Sequence, residues 1–259
     1  MIILNDKPVE IGSFPDGTIL MKHEDDAMYR AELVWRFEND REFLALAYLV
    51  KHLRHNGYGI INLYMPYIPN ARMDRVKNSN DVFTLKYFSE LLNDLKLDSV
   101  EVLDPHSSVS EALINNLIVQ SPCGYIDEVL AKLTQVTMFY PDSGAMSRYS
   151  GMVNLPYAFG IKKRNWETGK IEGLDVAGEV DQIAGKDILI VDDICSRGGT
   201  FLHSAKKLKE LGAKDIYLYV SHCENTVLEG DLLKGDLIKR LYTTDSIFTK
   251  SHEKVEVLK

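Results

Sequence analysis

Hydrophobic positions along this 259-residue chain recur with two alternating periods. Residues 29–37 alternate apolar and polar, as a half-buried strand does. Asn39 and Asp40 then precede a dense apolar stretch at 43–50, which suits a buried helix entered through a cap. A strand follows at 59–65, a helix at 84–95 and a strand at 99–103. Strands alternating with helices at this rhythm predict parallel βαβ units. The pattern restarts with strands at 136–140 and 157–161. A polar, glycine-bearing stretch at 165–185 has the character of a mobile flap or hairpin. A strand at 186–191, a helix at 201–211 stopped by Gly212 and a strand at 215–220 complete the series. Residues 1–22 read as short strands around a turn at Phe14-Pro15-Asp16-Gly17.

No sequence repeat is visible, yet both halves repeat one architecture. Ser121-Pro122-Cys123-Gly124 breaks the periodicity and sets a boundary near 118–125. The expectation is an N-terminal α/β domain over 1–120 and a C-terminal α/β domain over 121–259. Length and composition fit this, since 45% hydrophobic and 26% charged residues can build two cores. A net charge of −8 argues against a nucleic-acid surface. Three scattered cysteines show no paired or metal-type spacing, which predicts a reducing compartment. No apolar run approaches membrane-spanning length, and residues 1–5 lack the start of a signal peptide. A cytoplasmic protein without a membrane partner is expected.

The chemistry concentrates where predicted strands run out, the place where an open α/β sheet keeps its ligands. The buried run 186–191 leads at once into Asp192 and Asp193, and then into the small-residue turn Ser196-Arg197-Gly198-Gly199-Thr200. The helix after the turn aims backbone N–H groups and the positive end of its dipole at one spot, a ready phosphate cradle. Capping needs one side chain, not two acids, an arginine and two glycines. Neither Gly-x-x-x-x-Gly-Lys-Ser/Thr nor Gly-x-Gly-x-x-Gly occurs in the chain. Elsewhere Arg72, Arg75 and Lys77 cluster behind the strand at 59–65. Asp104 and His106 stand two apart after the strand at 99–103, a spacing that allows either Mg²⁺ binding or ordinary loop hydrogen bonding. Asp142 follows the strand at 136–140. Lys162-Lys163-Arg164 follows the strand at 157–161; such a run taken alone is usually a solvated one.

Asp192 to Thr200 resembles the sugar-phosphate signature of the phosphoribosyltransferase-type fold. In order along the chain, six further segments resemble the ribose-phosphate diphosphokinases, the phosphoribosyl diphosphate synthetases. They are Phe14-Pro15-Asp16-Gly17, Asn39-Asp40, Pro66-Tyr67 through Arg75, Asp104-Pro105-His106-Ser107, Pro141-Asp142-Ser143-Gly144 and Lys162-Lys163-Arg164. The resemblance implies two similar doubly wound parallel-sheet domains of phosphoribosyltransferase type. It implies transfer of the β,γ-diphosphate of ATP to the anomeric hydroxyl of a 5-phosphorylated ribose, releasing AMP. On this reading Phe14, Asp16, Arg72, Asp74, Arg75 and His106 bind ATP, and Mg²⁺ is held by His106, Asp104 and Asp142. Lys162, Arg164 and His106 are catalytic, the first two on a flexible flap over about 162–185. Asp192, Asp193, Ser196, Arg197, Gly198, Gly199 and Thr200 hold the ribose and its 5-phosphate. The two halves are expected to meet at one cleft, in a homo-oligomer of two or more copies.

The chain also departs from the family. An acid of the family's loop is Ser196 here, and a small neutral residue is Arg197, which brings a planar cation beside the 5-phosphate. That exchange suits a more anionic acceptor, such as the 5-diphosphate of ADP-ribose, or a single phosphate gripped more firmly. Thr18 stands where the adenine loop offers a glutamate. Two rivals share the fold: a phosphoribosyltransferase of nucleotide or NAD salvage, and a non-catalytic nucleotide-binding partner.

Overall fold

The computed structural model describes residues 1–23, 28–164 and 171–259, excluding the side chains of 162–164, 171 and 172. The chain divides into two compact units, Met1–Ser121 and Pro122–Lys259. Among the described residues, no helix is long and apolar enough to cross a membrane.

The N-terminal unit runs β1 (Ile2–Leu4), β2 (Lys7–Pro8), β3 (Ile11–Ser13), β4 (Ile19–Met21), β5 (Arg30–Trp35), α1 (Asp40–His55), β6 (Ile60–Tyr64), α2 (Thr84–Asn93), β7 (Ser99–Leu103), α3 (Val109–Leu113) and β8 (Leu117–Gln120). Strands β5, β6, β7 and β8 lie parallel in chain order, with β1 antiparallel on β5 and β2 outside it. The alternation read at 29–37 is realised in β5, where Ala31, Leu33 and Trp35 are buried. Helix α1 buries Ala45, Leu46, Leu49, Val50 and Leu53 at helical spacing. Each of the larger side chains contributes about 1.5–3 kcal/mol on burial.

The cap of α1 differs from the sequence reading. Asn39 is the N-cap residue in extended conformation, but its side chain makes no capping bond. Glu42, three residues on, reaches back instead and accepts from the Glu38 N–H at 2.9 Å. The Trp35 indole N–H holds the same carboxylate at 3.0 Å, and the Met1 ammonium also bonds to Glu42. A glutamate in the first turn can serve the helix end and the buried indole together, which the shorter Asn39 cannot.

The C-terminal unit runs α4 (Cys123–Leu130), β9 (Val136–Tyr140), α5 (Ser143–Tyr149), β10 (Tyr157–Arg164), β11 (Ile171–Gly178), β12 (Asp187–Cys195), α6 (Gly199–Glu210), β13 (Ile216–Cys223), β14 (Arg240–Thr244) and β15 (Val255–Leu258). Its sheet has the order β11-β10-β9-β12-β13-β14-β15, parallel throughout except for the antiparallel pair β10–β11. Strand β12 is covered on both faces. Ile188 and Ile190 pack with Phe201, Ala205 and Leu208, whereas Leu189 and Val191 pack with Ile126, Val129 and Tyr149. This accounts for the unbroken apolar run in the sequence.

Strand β12 also continues through Asp192 and Asp193, which the sequence placed beyond its end. The ladder to β13 persists as far as Cys195↔Cys223, so the backbone stays extended under the acids. That register also makes neighbours of two cysteines that looked scattered; both are buried and free.

Candidate functional site

Strand order reverses around β9 and β12. Chain direction leads from β9 to β10 on one side, while β12 lies on the other. The β9–β12 ladder ends at Ile190↔Phe139, and the β12–β13 ladder goes on for five residues. Past Ile190, then, β12 has a neighbour on one side only. The opening left beside it is the crevice in which doubly wound sheets hold ligands. Asp192 and Asp193 lie on this unshared end, and Asp142 follows β9 across it.

The two acids project to opposite faces of the strand. Asp193 is 4% exposed, and Arg148 at the end of α5 lies 3.5 Å from it. Asp192 is half-buried and accepts the Asp193 N–H at 3.0 Å. Burial first, and then the neighbouring Asp193 carboxylate, push the Asp192 carboxyl well above the usual range, with Asp142 adding to the effect. Asp142 is the N-cap of α5 and accepts from the Ala145 N–H at 3.1 Å. Three carboxylates thus create a negative potential that a cation or sugar hydroxyl donors would relieve.

The residues expected to hold phosphate form the entry to α6. Gly198 is its N-cap at φ +78°, a left-handed conformation that favours glycine. The first-turn N–H groups, beginning at Gly199 and Thr200, have no partner within the helix. At the other end Ala213 N–H bonds to the Leu208 carbonyl and Gly212 N–H to that of Lys209, closing the helix with Gly212 at φ +87°.

Residues 224–232 clasp this loop, a feature the sequence did not reveal. Glu224 N–H donates to the Cys195 carbonyl at 2.8 Å, and the Ser196 and Thr226 hydroxyls are 3.1 Å apart. Arg197 donates to Glu229 at 2.9 Å. A β-carbon on Gly230 would stand 2.0 Å from the Arg197 carbonyl oxygen, and one on Gly198 would stand 2.6 Å from Leu232. Only a residue without a side chain fits so close to that backbone oxygen.

In the N-terminal unit, two of the predicted segments come together. Asp74 is 7% exposed and grips Arg75 bidentately, at 2.7 and 2.8 Å. The Arg75 hydrogen bonds first, and then the Ser107 hydroxyl, the Arg75 charge and nearby His106, hold the Asp74 carboxyl down to about 2 against opposing burial. The segment behind β6 that carries Arg72 and Arg75 therefore meets the loop behind β7 that carries Asp104 and His106. Asp104 is buried with φ +40°, a left-handed turn that halts β7. His106 is half-buried, and Arg72 is exposed. Because the folded carboxyl is depressed, Asp74 contributes stability above its unfolded value near 3.8, lost as pH falls towards about 2. Thermal midpoints of the wild type and Asp74→Asn should therefore differ at pH 6 and converge by pH 2; a constant gap contradicts the pairing.

Phe14 and Asp16 occupy the tip of the β3–β4 hairpin, where both are exposed. Arg41 of α1 fixes the hairpin by donating to the Gly12 carbonyl at 2.8 Å and the Ser13 hydroxyl at 2.6 Å. Asp16 accepts from the Thr18 hydroxyl at 2.7 Å and the Thr18 N–H at 3.0 Å, which lowers its carboxyl pKa. Thr18, the departure noted in the sequence, thus orients Asp16.

The side chains of Lys162 and Arg164, and residues 165–170 of the predicted flap, lie outside the described residues. The backbone of β10 pairs antiparallel with β11 from Ala158↔Gly178 to Arg164↔Ile171. Two N-terminal cavities of about 600 and 640 Å³ flank the hairpin, lined by residues such as Lys7, Lys22, His23 and His52. Among the described residues, none of the sequence-predicted site residues lines them.

Among the described residues, no group of three or more His, Cys, Asp or Glu is arranged to hold a metal ion. Mg²⁺ needs less, since it commonly takes one or two protein ligands and completes its shell with waters and phosphates. The raised Asp192 carboxyl beside Asp142 and Asp193 fits a nearby cation, because added positive charge lowers that cost.

The chain is 29% identical over 222 residues to the ribose-phosphate pyrophosphokinase of Thermococcus kodakarensis, covering 83% of this chain and 77% of that protein. It is 27% identical over 262 residues to the enzyme of that name from Bacillus caldolyticus, covering 95% of this chain and 80% of that protein. Over most of its length the chain is thus similar to proteins named ribose-phosphate pyrophosphokinase. No protein-family model matches it. The fold agrees with the crystal structure of phosphoribosylpyrophosphate synthetase from Mycobacterium smegmatis. The TM-score is 0.78 at 19% identity, covering 97% of this chain and 85% of that one. The resemblance carried by seven short motifs thus extends over most of the sequence, and the homologues are enzymes of a transferase family.

Proposed function

We propose that this protein is an ATP-dependent diphosphokinase of 5-phosphorylated ribose. The anomeric hydroxyl oxygen of the sugar attacks the β-phosphorus of ATP, the bond between that phosphorus and the α–β bridging oxygen breaks, and AMP leaves. The hydroxyl proton is lost to solvent. The observation that carries the reading is the crevice of the C-terminal unit, where two carboxylates and an open helix N-terminus serve one sugar phosphate. Asp192 and Asp193 accept from the ribose hydroxyls, while Ser196, Gly198, Gly199 and Thr200 hold the 5-phosphate.

The N-terminal residues Arg72 and Arg75 grip the ATP phosphates, with Phe14 and Asp16 on the adenine. The meeting of Asp74–Arg75 with His106–Ser107 supports this, because it sets a guanidinium beside a metal-type loop. Bound Mg²⁺ would offset phosphate charge, held by His106 and Asp104 or by Asp142. Lys162 and Arg164 stabilise the charge that develops on the transferred group. The protein's contribution is mostly positioning and electrostatics, as phosphoryl-type transfer requires.

A second reading of the acceptor has its own support. Arg197 is 70% exposed at the entry to the loop, where a 5-diphosphate such as that of ADP-ribose would extend past the first phosphate. Incubation with ATP, Mg²⁺ and either ribose 5-phosphate or ADP-ribose should release AMP with a matching product mass. Consumption of phosphoribosyl diphosphate and a nucleobase, with no AMP from either acceptor, would instead identify a phosphoribosyltransferase. ATP binding without turnover would identify a silent partner.

A further inference from the structure

We propose that Glu229 is a specificity-determining residue for the acceptor, acting through Arg197 to present a guanidinium to a second phosphate on the 5-substituent. This rests on the diphosphokinase reading of the same loop. Arg197 donates through one terminal nitrogen to one Glu229 oxygen at 2.9 Å, with exposures of 70% and 59%. A pair this exposed adds little to folding. Its position, however, is closely fixed. The 3₁₀ turn Asn225–Glu229 is tied to the loop before Arg197 by the Glu224–Cys195 and Ser196–Thr226 bonds, and the chain after it by Gly230 against the Arg197 carbonyl.

The single contact determines the sign of the effect. A guanidinium has five donors in a rigid fork, and one terminal contact leaves another edge to meet a phosphate bidentately. An arginine held this way loses less freedom when an anion arrives. On the same reading the first phosphate is held by the loop N–H groups and Thr200, with no contact from Glu229. Arg197 stands one residue before the left-handed Gly198, at the entry of the loop and not in its floor. Glu229 therefore bears on acceptors that carry a second phosphate, with ribose 5-phosphate as the internal control.

Calorimetric titration of the full chain with ADP-ribose and with ribose 5-phosphate tests this, alongside kcat and KM from AMP release. Arg197→Ala should weaken ADP-ribose binding about tenfold, the loss of a charge-assisted bidentate contact. Glu229→Ala should weaken it about threefold to fivefold through lost orientation, and Glu229→Asp should recover most of that. Both effects should fall on KM, and in the Glu229 variants kcat should hold and ribose 5-phosphate affinity should stay within twofold of wild type, about 0.4 kcal/mol. Tighter ADP-ribose binding in Glu229→Ala would make the carboxylate a mere competitor and overturn the proposal. Equal shifts for both ligands, no shift, or a wild type that binds only ribose 5-phosphate would do the same. A wild type that binds both ligands without releasing AMP defeats the catalytic reading alone, while the variant affinities still decide the role of Glu229.

Discussion

Replacing both Asp192 and Asp193 by asparagine is expected to lower acceptor-dependent AMP formation by about a hundredfold or more, the scale on which misplaced reactants lose rate. Asparagine keeps the shape, and its amide oxygen still accepts, but the charge proposed to order ribose hydroxyls and attract a cation is gone. The single variants separate the two roles. Asp193→Asn weakens the partner that lies 3.5 Å from Arg148, so it should cost stability as well as rate. Asp192→Asn should do the opposite to stability. A carboxyl held above its unfolded value binds its proton more tightly in the folded state, so its unfavourable contribution grows as pH rises past the unfolded value. Asp192→Asn should therefore melt higher than wild type at neutral pH, the gap closing below pH 4, while activity falls. Loss of activity in a stabilised protein cannot be blamed on unfolding. An Asp192→Asn variant that keeps wild-type turnover would remove the ribose role assigned to this residue.

Gly230→Ala is the second large effect. The added carbon would sit 2.0 Å from a backbone oxygen, and backbone cannot swing aside as a flexible side chain does. The chain must open at the loop, at an expected cost of about 1–3 kcal/mol. Since that oxygen belongs to Arg197, the disturbance passes directly to the turn proposed to hold the 5-phosphate. Acceptor binding should weaken about tenfold or more. Gly235→Ala is the matched control, because a β-carbon there meets nothing within 4 Å. Equal melting temperatures and equal acceptor affinities in the two variants would show that residues 224–232 do not hold the loop.

Much of this was legible in the sequence, for reasons that differ by element. The run Ile188-Leu189-Ile190-Val191 could be read as a doubly buried strand because apolar faces leave no other home for it. Residues 30–35 could be read because a strand with one wet face must alternate. Where the reading fell short, neighbours far along the chain decide. Asp192 and Asp193 belong to β12 because β13 is still pairing there. Glu42 caps α1 because Trp35 and the Glu38 N–H converge on it. Strands β8 and β15, and the short helices α3, α4 and α5, are too brief for periodicity to register. Candidate residues stood out when chemistry crowded into one stretch, as at Asp192 to Thr200. Arg148 and Glu229 carried no such mark, since an isolated charge gains meaning only from what folds against it.

The reversal of strand order has a consequence for biosynthesis. Strand β9 must wait for β12, and between them the ribosome has to deliver α5, β10, β11 and everything that joins them. Until then β9 offers one unfilled edge of the future sheet to the nascent chain's surroundings. Parallel pairing across such a span is slow and leaves apolar strands open to association with other chains. The crevice beside β12 is therefore among the last parts of the C-terminal unit to exist, and a stalled or truncated product ending before residue 187 should bind chaperones while lacking the turn at 196–200 altogether.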